Sequence, residues 1–271
     1  RSLGVHTDHI VRGGNRLGIY FCEPGASQRA SRVIYDRANS AIAQIEPSEL
    51  NWAEIFRGAQ WFHFTGITPA LSDRAAAATL EAAKTARTMG IKVSADLNYR
   101  KKLWSQERAC RVMSELMRYV DVAIGNEEDA EKIFGISAHS SDVTKGQLCM
   151  EAYQEVAQTL RRRFGFESVA ITLRESISAS DNIWSGMLYD GHDFHVSRKY
   201  AVHIVDRVGG GDSFAGGLIY ALLTGMKGKD AVEFAAAASC LKHSVFGDFN
   251  MVSASEVEAL VSGDGSGRVQ R

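Results

Sequence analysis

Asp206-Arg207-Val208-Gly209-Gly210-Gly211-Asp212-Ser213-Phe214, continuing into Ala215-Gly216-Gly217, is the stretch that decides how this chain of 271 residues folds. Three consecutive glycines make a tight turn whose N–H groups no side chain shields, and they open onto a helix predicted near Asp212–Thr224. The unbonded N–H groups of a helix's first turn and the positive end of its dipole then face one point, which makes an anion site. An aspartate seated there is suited to accept a hydroxyl proton while the amides hold the charge of a transferred phosphoryl group. The same residues also fit a plain loop with Asp212 as an N-cap. Gly216 and Gly217 let the helix lie close against a neighbour or a nucleotide.

Outward from this stretch, strands and helices alternate from about residue 58. Gln60–Phe64 is an apolar, aromatic run that reads as a buried strand, and Asp73 is placed to cap a helix to Met89 that Gly90 stops. Ile91–Leu97 and Val120–Ile124 read as strands, with a helix over Glu107–Tyr119 between them. Glu127-Glu128-Asp129 then form the acidic first turn of a helix after Asn126. Polar Ala138–Gln147 reads as a loop, Cys149–Phe164 as a helix and Ser168–Leu173 as a strand. Ile183–Tyr189 and His192–Ser197 flank Asp190-Gly191 as a hairpin, and helices near Lys229–Val245 and Ser255–Val261 close the chain. This alternation predicts a mostly parallel sheet covered on both faces, with ligands bound outside the carboxyl ends of its strands. The first 45 residues differ. There, Leu17–Cys22 and Arg32–Tyr35 are short β-prone pieces between glycine and polar turns, which predicts a hairpin or small sheet.

Composition narrows the function. Hydrophobic residues at 45% and charged residues at 23% supply an ample core. Thirty-one basic against 32 acidic side chains give a net charge of −1, without the basic surplus of a protein that neutralises nucleic-acid phosphates. Cys22, Cys110, Cys149 and Cys240 are scattered with no metal-ligand spacing, the pattern expected of reduced thiols in the cytoplasm. No apolar run approaches the roughly 20 residues of a membrane span. Neither nucleic acid nor a membrane is therefore an expected partner. The eight histidines show no HExxH spacing, and neither a GxxxxGK[ST] phosphate loop nor a GxSxG elbow occurs.

The glycine–aspartate stretch resembles the signature of the pfkB (ribokinase-like) carbohydrate kinases, roughly Asp-Thr-Val-Gly-Ala-Gly-Asp-Ala-Phe. Arg207, Gly210 and Ser213 depart from it, and none of the three removes the turn or the aspartate. The resemblance extends over nearly the whole chain and is closest to the 2-keto-3-deoxygluconate kinases, of which the closing Gly265–Arg271 is also typical. It implies a ribokinase-like three-layer α/β/α sandwich with a mostly parallel sheet. Residues 1–45 would form part of a small β lid and 46–271 the nucleotide- and sugar-binding core. It also implies strands ahead of the lid that are missing here, because Arg1 falls just before the lid.

The resemblance further implies ATP and Mg²⁺ as cofactors, and phosphorylation of 2-keto-3-deoxygluconate at its terminal hydroxyl. Asp212 would be the base, and Gly209, Gly210 and Gly211 the anion hole. Tyr20, the Tyr35-x-Arg37 pair and Asp248 would face the sugar acid. Arg100 in Asp96-Leu-Asn-Tyr-Arg would read its carboxylate, which a planar guanidinium matches as a bidentate fork. Asn98, Asn126, Thr172, Arg174, Lys242 and Gly247 fall where the family holds the nucleotide, with Arg174 in place of a common glycine. Asp129 stands where the family's Asn-x-x-Glu places a glutamate near the metal. Taken alone, Arg37, Arg100 and Lys242 also suit solvated faces, and Asp96 suits a structural cap. Two alternatives stay open: a kinase of a neutral sugar such as fructose or ribose, and a silent sugar- or nucleotide-binding protein. Lid-to-lid pairing in the family implies a homodimer.

Overall fold

The computed structural model describes residues 3–137 and 150–265. A two-stranded ribbon comes first. Strands β1 (Ile19–Glu23) and β2 (Arg32–Asp36) pair antiparallel, with Tyr20 opposite Tyr35 and Cys22 opposite Val33. Period-two alternation puts these four residues on one face and leaves Ile19, Phe21 and Ile34 exposed on the other.

The core then runs α1 (Trp52–Ile55), β3 (Trp61–Thr65), α2 (Ile67–Leu71), α3 (Asp73–Thr88), β4 (Lys92–Asp96) and α4 (Gln106–Leu116). Next come β5 (Val122–Gly125), α5 (Glu127–Phe134), α6 (Met150–Phe164), β6 (Ser168–Ser176), β7 (Asp181–Tyr189) and β8 (Phe194–Val196). Strand β9 (Tyr200–His203) and helices α7 (Gly210–Leu223), α8 (Gly228–Lys242) and α9 (Ala254–Ser262) complete it. The described residues form a seven-stranded sheet in the order β3-β4-β5-β6-β7-β8, with β9 also paired to β7. β3 to β6 are parallel. β7 alone runs against the others, since β6, β8 and β9 each pair with it antiparallel.

Burial on both faces explains why these strands read as apolar runs. In β5, Val122 and Ile124 join the core formed with α7, α8 and α9, and Ala123 joins the core formed with α3 to α6. β6 divides the same way, Val169, Ile171 and Leu173 to one face and Ala170 to the other. A Cβ on Gly217 would lie 3.0 Å from Ala238 Cβ, so the α7–α8 packing uses this glycine, whereas one on Gly216 would meet nothing within 4 Å. The close approach predicted for both belongs to Gly217.

Three local expectations change. Ser72, not Asp73, caps α3: its hydroxyl accepts the Ala75 N–H at 3.0 Å from an extended backbone position, leaving Asp73 as the first helical residue. The β7–β8 connection is a four-residue loop closed by Asp190 Oδ1, which accepts the N–H groups of His192 and Asp193. β9 carries no pattern that marks it in the sequence. Ala138–Gln147, Cys149 and Ser266–Arg271 lie outside the described residues. No helix among the described residues is long and apolar enough to cross a membrane.

Candidate active site

The carboxyl ends of β3, β4, β5 and β6, the first turn of α7 and the inner face of the lid enclose a cavity of about 730 Å³. Gly209, at φ +78°, is the N-cap of α7, and no side chain caps the helix. Asp206 anchors the approach: its Oδ1 accepts the Val208 N–H and its Oδ2 the Gly247 N–H, each at 2.9 Å. A Cβ on Gly209 would come 2.6 Å from the Asp248 carbonyl oxygen, and one on Gly210 would come 2.8 Å from the His243 ring. One on Gly211 would meet nothing within 4 Å. Gly211 therefore presents bare backbone, and Asp212 follows it, exposed, as the third residue of the helix and part of the cavity wall. Helix start and carboxylate coincide as the sequence predicts, while Gly210 spends its N–H on the Arg207 carbonyl at 3.3 Å and Gly211 is the glycine left bare.

Beside this turn, acidic groups crowd together. Withdrawal from water pushes the Asp96 carboxyl up to about 8, helped by Asp129 and Asp212 and opposed by Arg100 and the Asn98 N–H. Asp129 is raised too, by burial first, against the Tyr99 and Asn126 N–H groups that bond its two oxygens at 2.8 and 3.2 Å. Both carboxyls are disfavoured as anions here, and a cation would relieve that. Among the described residues no three His, Cys, Asp or Glu side chains cluster as metal ligands. A divalent ion here would therefore draw most of its oxygens from phosphate and water.

The lid supplies the opposite wall. Tyr20 donates its hydroxyl to the Asp248 carboxylate, and that bond pushes the phenol up to about 12. The Arg37 guanidinium lies 4.6 Å from the centre of the Tyr35 ring and 5.9 Å from that of Tyr20. At the ribbon's tip, Ser27 accepts the Ala179 N–H at 2.7 Å and donates to Ser180 Oγ at 3.0 Å. Arg100, held by its bond to the Tyr99 carbonyl at 3.1 Å, completes this end.

Every candidate catalytic, substrate, nucleotide or metal residue lines this cavity except two. Asn98, at φ +39°, donates to Thr65 Oγ1 at 3.1 Å, while Asn126 caps α5 by accepting the Asp129 N–H at 2.8 Å. Thr172 lies at the middle of β6 and Arg174 two residues before its end, because the strand runs on to Ser176, past the predicted Leu173. Lys242 and Gly247 are the exceptions. Helix α8 turns Lys242 into the interior, where its ammonium donates to the Val245 carbonyl at 2.8 Å. Gly247 uses its N–H on Asp206 in a left-handed turn. Both stand behind the glycine turn, outside the lining of the cavity. Arg207 and His243 also face the cavity. Arg207 is visible in the sequence as a departure from the family signature; nothing in the sequence marks His243.

Residues 1–254 match the family described as pfkB family carbohydrate kinase. A 2-dehydro-3-deoxygalactonokinase from Haloferax volcanii is 32% identical over 252 residues, 93% of this chain and 72% of that protein. A 2-dehydro-3-deoxygluconokinase from Thermoproteus tenax is 31% identical over 257 residues, covering 92% and 69%. The crystal structure of 2-dehydro-3-deoxygluconokinase from Thermotoga maritima superposes with a TM-score of 0.92 at 52% identity, covering 97% of this chain and 78% of that one. The matched span runs through the lid, the strand ends and the glycine–aspartate turn: the chain belongs to the pfkB family of carbohydrate kinases, with ATP and a sugar as its small-molecule partners.

Proposed function

We propose that this kinase transfers the γ-phosphoryl group of ATP to the terminal hydroxyl of 2-keto-3-deoxygluconate, giving 2-keto-3-deoxy-6-phosphogluconate. The observation that carries this is Asp212, one residue beyond the bare backbone of Gly211, facing the same cavity as Arg37 and Arg100. Asp212 takes the hydroxyl proton as the acceptor oxygen bonds to phosphorus, and the Gly209–Gly211 turn holds the charge on the moving group. Arg37, stacked on the lid tyrosines, and Arg100 orient the carboxylate, a task a neutral sugar does not set. The names of the two 2-dehydro-3-deoxygluconokinase relatives support the same substrate. When bound, Mg²⁺ offsets phosphate charge; Asp96 and Asp129, whose carboxyls are both raised, are the residues that would hold it, Asp129 while keeping its two backbone bonds.

A coupled ADP-release assay tests the proposal. Turnover with 2-keto-3-deoxygluconate should exceed that with fructose or ribose by at least tenfold. Equal or greater turnover with a neutral sugar would replace the sugar-acid assignment, and none with any acceptor would leave a binding protein. The C4 epimer belongs in the panel, since the Haloferax relative is named for it. The exposed Ile19, Phe21 and Ile34 support a homodimer through the lid strands, to be checked by sedimentation. The free thiols of Cys22, Cys110 and Cys240 fit the cytoplasm.

A further inference from the structure

Two cavity residues break the family pattern in the same way. Arg207 stands where the signature has threonine and Arg174 where a glycine is common, so two neutral positions have become cations. Arg207 is half-buried beside the glycine turn; Arg174 is exposed, two residues before the end of β6, and both face the cavity. Neither makes an ion pair among the described residues. Arg207 donates one bond, to the Ala179 carbonyl at 2.8 Å, and the Arg174 guanidinium makes none among the described residues. The carboxylate nearest in sequence, Asp206, is already bonded to the Val208 and Gly247 N–H groups. The two guanidiniums also feel each other: burial lowers the proton affinity of Arg207, and the charge of Arg174 lowers it further. His243, behind Gly210, is disfavoured as a cation by burial first and then by Lys242, Arg207 and Arg174 among others. With the positive end of α7, these cations gather beside the glycine turn, where Asp212 and Asp248 also line the cavity but neither pairs with Arg174 or Arg207.

Two guanidiniums that face one cavity with no ion pair of their own favour an anion with several oxygens. We propose that Arg174 and Arg207 act as a pair of positioning residues that grip the phosphate chain of the nucleotide. Their planar forks match phosphate oxygens, and they flank the glycine turn that receives the transferred group. The sugar acid's carboxylate is the other anion in the reaction, but Arg37 and Arg100 already serve it from the lid and from the loop after β4. This role presupposes the kinase activity proposed above.

Calorimetric titration of the intact chain with ATP, ADP and AMP, with KM measured for the keto acid, separates the sources. Arg207→Thr and Arg174→Gln should each weaken ATP and ADP binding by about tenfold or more and flatten its salt dependence. AMP affinity and the keto-acid KM should stay within twofold, and Arg174→Lys should restore part of the loss. Arg174→Gln breaks no hydrogen bond, so it carries the test if Arg207→Thr disturbs the Ala179 loop. Unchanged ATP and ADP binding in folded Arg174→Gln, or a loss confined to the keto acid, would overturn the assignment. If the wild-type chain binds ATP and ADP through this pair yet phosphorylates no sugar acid, the proposed activity fails and the pair stands.

Discussion

In β5 every side chain is buried and alternation shares them between two cores, whereas in β1 and β2 the same alternation turns Tyr20 and Tyr35 onto the cavity and leaves Ile19, Phe21 and Ile34 bare. A two-stranded ribbon cannot support itself. The lid is held by what it touches: Asp248 through Tyr20, and Ala179 and Ser180 through Ser27. On the proposed mechanism, the groups for proton and phosphoryl transfer sit on the wall built from strand ends and a helix start. On the same reading, the groups that recognise the acid sit partly on the lid. The difference teaches a division of labour that kinetics can separate.

Breaking the rigid wall should have the largest effect. Asp212→Ala should lower kcat by ~10²–10⁴ with ATP binding nearly unchanged, as single-turnover and titration measurements would read. Near-normal turnover would remove Asp212 as the base. Breaking the lid should act on recognition instead. Arg37→Ala should raise the keto-acid KM by about 10–100-fold with a smaller change in kcat, since one charge-assisted bond is lost. A loss in kcat alone would erase the division.

The glycine turn sharpens the comparison through stability. Gly209→Ala forces a left-handed residue against the Asp248 carbonyl, which should lower the melting temperature by roughly 5 °C or more, while Gly211→Ala should leave it nearly unchanged. The smallest effect concerns Asp96. Between about pH 4 and pH 8 the folded chain holds a proton there that the unfolded chain has released, so stability from this group falls as pH rises through that window. Asp96→Asn should therefore raise the melting temperature by a few degrees, more at pH 8 than at pH 5, in calorimetric scans.

Much of this architecture was legible. The Gln60–Phe64 and Ile91–Leu97 runs read as strands because burial on both faces leaves an apolar stretch, and Gly90 ends its helix with positive φ as glycines do. Asp212 and the lid tyrosines were legible because backbone exposure and period-two alternation are local properties. What escaped depends on distant partners. Lys242 reads as surface on a helix, yet the path of α8 buries it under Gly209. β9 exists because β7 offers it an edge. Arg207 showed as an oddity in a motif, and its meaning needed Arg174, 33 positions earlier, on the same cavity wall.

Asp129 ties the loop that carries Arg100 to the turn that carries Asn126, one oxygen bonded to each. Two rims that evolution could otherwise lengthen or shift separately are thereby stitched into one frame. Arg100 and Asn126 thereby keep their spacing, and an insertion in either loop would be felt by the other.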